Sequence, residues 1–167
     1  MKTALRLAGG TLALASMVGA TTVAGADDHQ ILNGTFNETA AGAGLGYDIH
    51  GSAKLTVGAD DTVADVNVAG LSPTKHYGSH VHNGTCASGG GGHYQDAQGG
   101  ATTPPNELWL STSSNPTGGL DSNPGGVVHA SGSAAWQARL TSETLTNARS
   151  IVVHEPGGAR IACADLT

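Results

Sequence analysis

The sequence predicts an all-β domain, a sandwich or barrel of short antiparallel strands, and three observations predict it. Twenty-six glycines and six prolines punctuate its 167 residues with turn signals. Between those signals run short stretches in which apolar and polar residues alternate, the period of a strand with one buried face. No stretch sustains the 3.6-residue apolar period of a long helix.

The elements follow in chain order. Met1 to Ala26 has the layout of a secretory signal: Lys2 and Arg6 in a positive n-region, an apolar h-region from Leu7 to Val18, and the small-x-small site Ala24-Gly25-Ala26. Cleavage near Ala26 leaves residues 27–167 as a single secreted or periplasmic domain. Ile31 to Phe36 is the first strand candidate. Ala53, Leu55 and Val57 alternate with polar neighbours, Gly58-Ala59-Asp60-Asp61 makes a turn, and Ala64, Val66 and Val68 alternate on the return, so this is a hairpin with one buried face. Further candidates are Gly78 to His82, Glu107 to Ser111, Val127 to Gln137 and Ser150 to His154. Ala87 to Pro105 and Asn115 to Gly126 are rich in Gly, Pro, Ser, Thr and Asn and are expected to be loops. Trp109 and Trp136 are assigned to the core or an interface.

Charge and length exclude several classes. Loss of the leader leaves five Lys and Arg against 13 Asp and Glu, a net charge of −8. So acidic a domain is unsuited to nucleic acid or an anionic membrane surface. The h-region is too short to span a bilayer, and no later stretch nears the ~20 apolar residues needed. Cys86 and Cys163 are an even pair in an exported chain and read as one disulfide.

Eight histidines in so small a chain raise a metal hypothesis. His80 and His82, two apart on a strand, project from one face. His93 lies on the glycine-rich loop beyond Cys86, and His154 ends the apolar run Ile151-Val152-Val153, nine residues before Cys163. Three or four neutral imidazoles favour copper or zinc over calcium or magnesium.

Five separated segments resemble the Cu/Zn superoxide dismutase family, in its order. Gly70-Leu71-Ser72-Pro73 followed by His76-Tyr77-Gly78-Ser79-His80-Val81-His82 resembles the strand with two copper histidines. Gly84-Thr85-Cys86 and Gly92-His93-Tyr94 resemble the disulfide cysteine and the bridging histidine. Arg149 to Glu155 resembles the segment with the fourth copper histidine, and Ala159 to Cys163 the one with the anion-guiding arginine and partner cysteine. The resemblance implies an eight-stranded Greek-key β-barrel. It also implies copper on His80, His82, His93 and His154, a Cys86–Cys163 bridge, and Arg160 beside the metal to attract superoxide.

Two departures point to the family's copper-only branch. No histidine lies between His93 and His129, and the loop that follows His93 holds Asp96 and Glu107, too few for the usual four-coordinate zinc site. His129 falls where the family has no zinc ligand and is read as a surface residue. Only Glu155 to Ala159 separate His154 from Arg160, where zinc-containing members carry a long charged loop. In the copper-only branch a glutamate takes over one zinc-ligand position and orients the histidine that would have bridged; Glu107 is the candidate, although the aspartate expected shortly after it is replaced by Leu110 and Ser111.

The expected function is therefore conversion of superoxide to oxygen and hydrogen peroxide by a copper-dependent, zinc-free enzyme, with Arg160 and His93 as its catalytic residues. The alternative is a copper-binding or copper-delivery protein that kept the barrel and lost the enzyme. A copper donor is an expected partner, nucleic acid is not, and the oligomeric state is left open with a monomer favoured.

Overall fold

The computed structural model describes residues 29–58, 61–114, 118–134 and 146–167. The leader, part of the 58–61 turn, the start of the 115–126 tract, and the end of the 127–137 run with Trp136 lie outside the described residues.

The element order is β1 (Gln30–Glu38), α1 (Ala40–Gly44), β2 (His50–Val57), β3 (Thr62–Ala69), β4 (His76–His82), a 3-10 turn at Cys86–Ser88, β5 (Leu120–Asp121), β6 (Val128–Ala134), β7 (Ser150–His154) and β8 (Arg160–Asp165). These strands form one sheet in the order β5-β4-β7-β8-β1-β2-β3-β6 with antiparallel pairings throughout. Its ends are joined by the segment around Leu108 to Ser111. Leu110 donates its N–H to the Ser79 carbonyl of β4 at 3.0 Å, and Ser111 exchanges backbone bonds with Ser131 of β6 at 2.9 and 3.2 Å. This segment is the expected fifth strand, reduced to isolated bridges at Trp109 and Ser111. The result is a nearly closed all-β barrel.

The alternation that predicts the β2–β3 hairpin is the alternation that fills the barrel. Leu55 pairs with Ala64 and Ala53 with Val66, all buried, while Lys54 and Asp65 pair on the outer face and form a salt bridge at 3.3 Å. Phe36, Tyr77, Leu110 and Ile151 complete the interior from other strands.

Three elements differ from the sequence expectation. β8 was not anticipated: Ile161 to Ala164 is buried on both faces, so the run has no alternation to read. β5 lies inside the expected 115–126 loop, held by pairing Tyr77 with Leu120. α1 is one turn long, capped by Thr39, whose hydroxyl accepts from Gly42 N–H at 3.2 Å and donates to the Arg160 carbonyl at 2.6 Å. Gly42 is required there, since a Cβ would stand 2.3 Å from the Ile161 carbonyl oxygen.

Candidate metal centre

Strand alternation sorts β4 into two sets. Tyr77, Ser79 and Val81 turn into the barrel, and His80 and His82 project from the opposite face. β7 pairs Gly78 with His154 and His80 with Val152, which puts His154 on that same outer face, diagonal to His80. His93 arrives from the loop. It forms a bridge pair with His82, and the next residue, Tyr94, donates its N–H to the Val81 carbonyl at 2.9 Å. The four imidazoles converge, with one ring nitrogen of each within 4.8 Å of all the others.

The loop that carries His93 is tightly bound to the barrel. Asn83 and Gly92 bond through backbone at 3.0 Å and through the Asn83 side chain at 2.9 Å, and Gly84 N–H donates to the Gly90 carbonyl at 2.8 Å. The Cys86–Cys163 disulfide fastens it to β8. Gly90, at φ +85°, passes directly over the site; a Cβ there would lie 3.0 Å from Val152 Cγ2 and 3.5 Å from His82 Nδ1.

Hydrogen bonds decide which nitrogens remain for a ligand. Nδ1 of His93 donates to Glu107 Oε2 at 2.7 Å, and Nδ1 of His154 donates to the Gly158 carbonyl at 3.3 Å, so each ring presents Nε2. The Nε2 atoms of His82 and His154 are 3.2 Å apart. Nδ1 of His80 and Nδ1 of His82 are buried with no hydrogen-bond partner. Orphaned ring nitrogens among convergent imidazoles are what a cation relieves, and an all-imidazole set suits copper or zinc. The residues therefore fit a transition metal, held by His80, His82, His93 and His154.

Electrostatics favour the neutral form of His80, His82 and His154, as ligation requires. Burial, then the neighbouring His93 and His154, push His80 down to about 3, against a weaker upward pull from Glu107. Burial followed by His93, His154 and Arg160 does the same to His82, also to about 3. His154 is lowered by burial, opposed by the Gly158 carbonyl.

Glu107 is buried, only 2% exposed. Oε2 accepts from His93 and from Trp109 Nε1 at 2.9 Å, and Oε1 from Gln95 Nε2 at 3.1 Å. Burial raises its pKa, but the Trp109, His93 and Gln95 donors outweigh burial and hold it below the usual carboxylate range. Arg160 pairs with His154 across the β7–β8 bulge, and its guanidinium donates to the carbonyls of Gly89 and, at 2.6 Å, Gly91. His129 lies elsewhere, exposed on β6 and bonded to Asn67.

Trp109 and Gln95 are the site residues that sequence reasoning missed. Trp109 stands two residues from Glu107 on an extended segment, so the same i, i+2 rule that unites His80 and His82 would have placed it beside the carboxylate.

No family model matches the sequence, and no curated protein matches it. Among solved structures the chain is similar to a Cu/Zn superoxide dismutase from Brucella abortus. The TM-score is 0.54 and the identity 21%, with 83% of this chain and 100% of the other covered. The fold is thus that of Cu/Zn superoxide dismutases, and it carries a histidine cluster suited to a metal.

Proposed function

We propose that the protein is an exported copper-dependent superoxide dismutase that works without zinc. The observation that carries this reading is the four-imidazole cluster whose His93 is held by a buried carboxylate. Copper bound there would supply a one-electron couple, through which one superoxide leaves as oxygen and a second, taking up two protons from solvent, leaves as hydrogen peroxide. Arg160 supplies the attraction for the anion: its charge is felt at both His82 and His154. Because its N–H groups are tied to Gly89 and Gly91, it pays little ordering entropy on meeting a small anion. Glu107 keeps the His93 proton on Nδ1 and leaves Nε2 as the nitrogen that would hold the metal, the orienting role that zinc fills in a bridged site. The intact disulfide is compatible with an extracellular protein and supports export.

The net charge of −8 favours a second reading, a copper carrier on the same fold, because the molecule as a whole repels superoxide. Dismutation measured per bound copper, on disulfide-intact protein loaded with copper and no zinc, separates the two. A rate near the diffusion ceiling that is lost in His154→Ala supports the enzyme. Tight copper binding with turnover no better than free copper supports the carrier.

A further inference from the structure

A single short turn joins the fourth imidazole to the guanidinium. His154 ends β7, Arg160 begins β8, and Glu155-Pro156-Gly157-Gly158-Ala159 is all that lies between them. Gly158 supplies the carbonyl that accepts from His154 Nδ1 at 3.3 Å. Packing does little to hold this turn. Pro156 to Ala159 are exposed, Gly157 and Gly158 sit at φ +107° and +94°, and a Cβ on either glycine would meet nothing within 4 Å. The β7–β8 ladder shifts register between Val153 and His154, so strand pairing does not fix the turn either. Glu155 carries its only polar side chain. We infer that Lys75 and Tyr47 are positioning residues for the metal centre: by clamping Glu155 they fix the turn, and with it the Gly158 carbonyl that orients His154.

The clamp is a closed triangle of polar groups. Lys75 Nζ donates to Glu155 Oε1 at 2.8 Å and lies 2.8 Å from Oε2. The Tyr47 hydroxyl donates to Oε1 and accepts from Lys75 Nζ at 3.2 Å. Each member therefore touches the other two, and each comes from a different connection: α1 to β2, β3 to β4, and β7 to β8. Lys75 Nζ also stands 5.9 Å from the Tyr47 ring centroid and 5.6 Å from that of Tyr77, within reach of a cation–π attraction. Tyr77 ties the group to the barrel. It is fully buried, its hydroxyl is 3.2 Å from that of Tyr47, and it accepts from the Ser72 N–H at 2.9 Å.

Burial separates this arrangement from an ordinary surface ion pair. The side chains of Lys54 and Asp65 are 47% and 43% exposed, so water screens that pair and holds either partner as well. The Glu155 side chain is 11% exposed. If the turn moved, a largely buried carboxylate would lose both its donors, and that cost keeps the turn in one place. Two backbone bonds carry the constraint from Glu155 through the turn. Glu155 N–H donates to the Ala159 carbonyl and Gly158 N–H to the Glu155 carbonyl, both at 2.8 Å. Held so, Gly158 keeps the His154 proton on Nδ1 and leaves Nε2 toward the other three imidazoles.

The inference rests on reading His154 as a metal ligand and is independent of dismutation. Its test begins on the metal-free, disulfide-intact protein at neutral pH, where imidazole 15N resonances report which nitrogen of His154 carries the proton. The parent should show the single Nδ1–H form. Lys75→Met and Tyr47→Phe should each give a mixture of forms at His154, while His93, held by Glu107, keeps its own. Cu(II) affinity, measured by competition with a chelator, should fall about tenfold in both, the lower end for loss of an orienting partner. Lys75→Arg keeps the cation and should restore both readouts. A parent in which His154 lacks the Nδ1 proton overturns the proposal. So do variants that keep the parent's His154 form and copper affinity, even where their urea midpoints fall, since a purely structural role predicts that pattern. Neither result touches the dismutase reading, which fails on the parent's rate per bound copper.

Discussion

Truncating Glu107 tests how the candidate site is held together. Glu107→Ala removes the acceptor of three side-chain donors, His93 Nδ1, Trp109 Nε1 and Gln95 Nε2, from a position that is 2% exposed. A hydrogen bond to a charged group contributes about 1.5–3 kcal/mol. The three donors belong to half-buried residues, so water entering the new cavity recovers part of that sum. The expected loss is about 4 kcal/mol, a large share of the 5–15 kcal/mol typical of a domain, and lowers Tm by about 10 °C. Glu107→Gln keeps one oxygen for His93 and Trp109 but loses the charge, and should cost about 1.5 kcal/mol. The assay is urea unfolding of the metal-free, disulfide-intact domain, with copper affinity measured by competition on the same variants. His93 is no longer oriented in Glu107→Ala, so affinity should fall about 10–100-fold. A Glu107→Ala domain within 1 kcal/mol of the parent, with unchanged copper affinity, would refute the assignment of Glu107 as the residue that positions His93.

Other expectations follow from the same geometry. Arg160→Ala should lower the dismutation rate by about tenfold at low salt and flatten its dependence on ionic strength, while the unfolding midpoint moves little; an unchanged rate would argue against an anionic substrate. Replacing both Cys86 and Cys163 by Ser opens a loop of 77 positions and should cost about 4 kcal/mol. Because that bridge fastens the loop carrying His93, copper affinity should fall with it, and a drop in stability alone would separate the two roles. For the metal-free domain, His80 and His82 titrate near 3 when folded, against 6.5 for a free ring. The unfolded chain therefore takes up protons that the native state refuses. Stability should be level above about pH 6.5 and fall as pH drops from there towards 3, by as many as two protons' worth. Denaturant midpoints across that range test this, and a flat profile would place both rings in water.

Much of the fold could be read from residue order because one-sided burial leaves a trace. β2 and β3 alternate, and each alternation names the residues that fill the barrel, from Ala53 and Leu55 to Ala64 and Val66. The same rule set His80 and His82 on one face before any partner was known, and an even cysteine count in an exported chain indicated the bridge that Cys86 and Cys163 form. Where burial is two-sided the trace disappears. Ile161 to Ala164 is closed in on both faces and shows no period, so β8 became visible only through its pairing with β7. β5, two residues long, exists because Tyr77 of β4 offers Leu120 a partner.

The sequence by itself determined the all-β class, the pairing of β2 with β3, the disulfide and which imidazoles were candidates for one site, because strand period, turn chemistry and cysteine count act over a few residues or through composition. Tertiary structure decided which nitrogen each ring presents, that Glu107 is buried under three donors, and that Arg160 is tied to Gly89 and Gly91. The contacts of His93 with Glu107, of His82 with His154, and of Arg160 with Gly89 and Gly91 join chain segments 14 to 72 positions apart. Their geometry is set by barrel closure and by the loop that Cys163 holds down, and a hydrogen bond changes character over a few tenths of an ångström, which no local pattern of residues encodes.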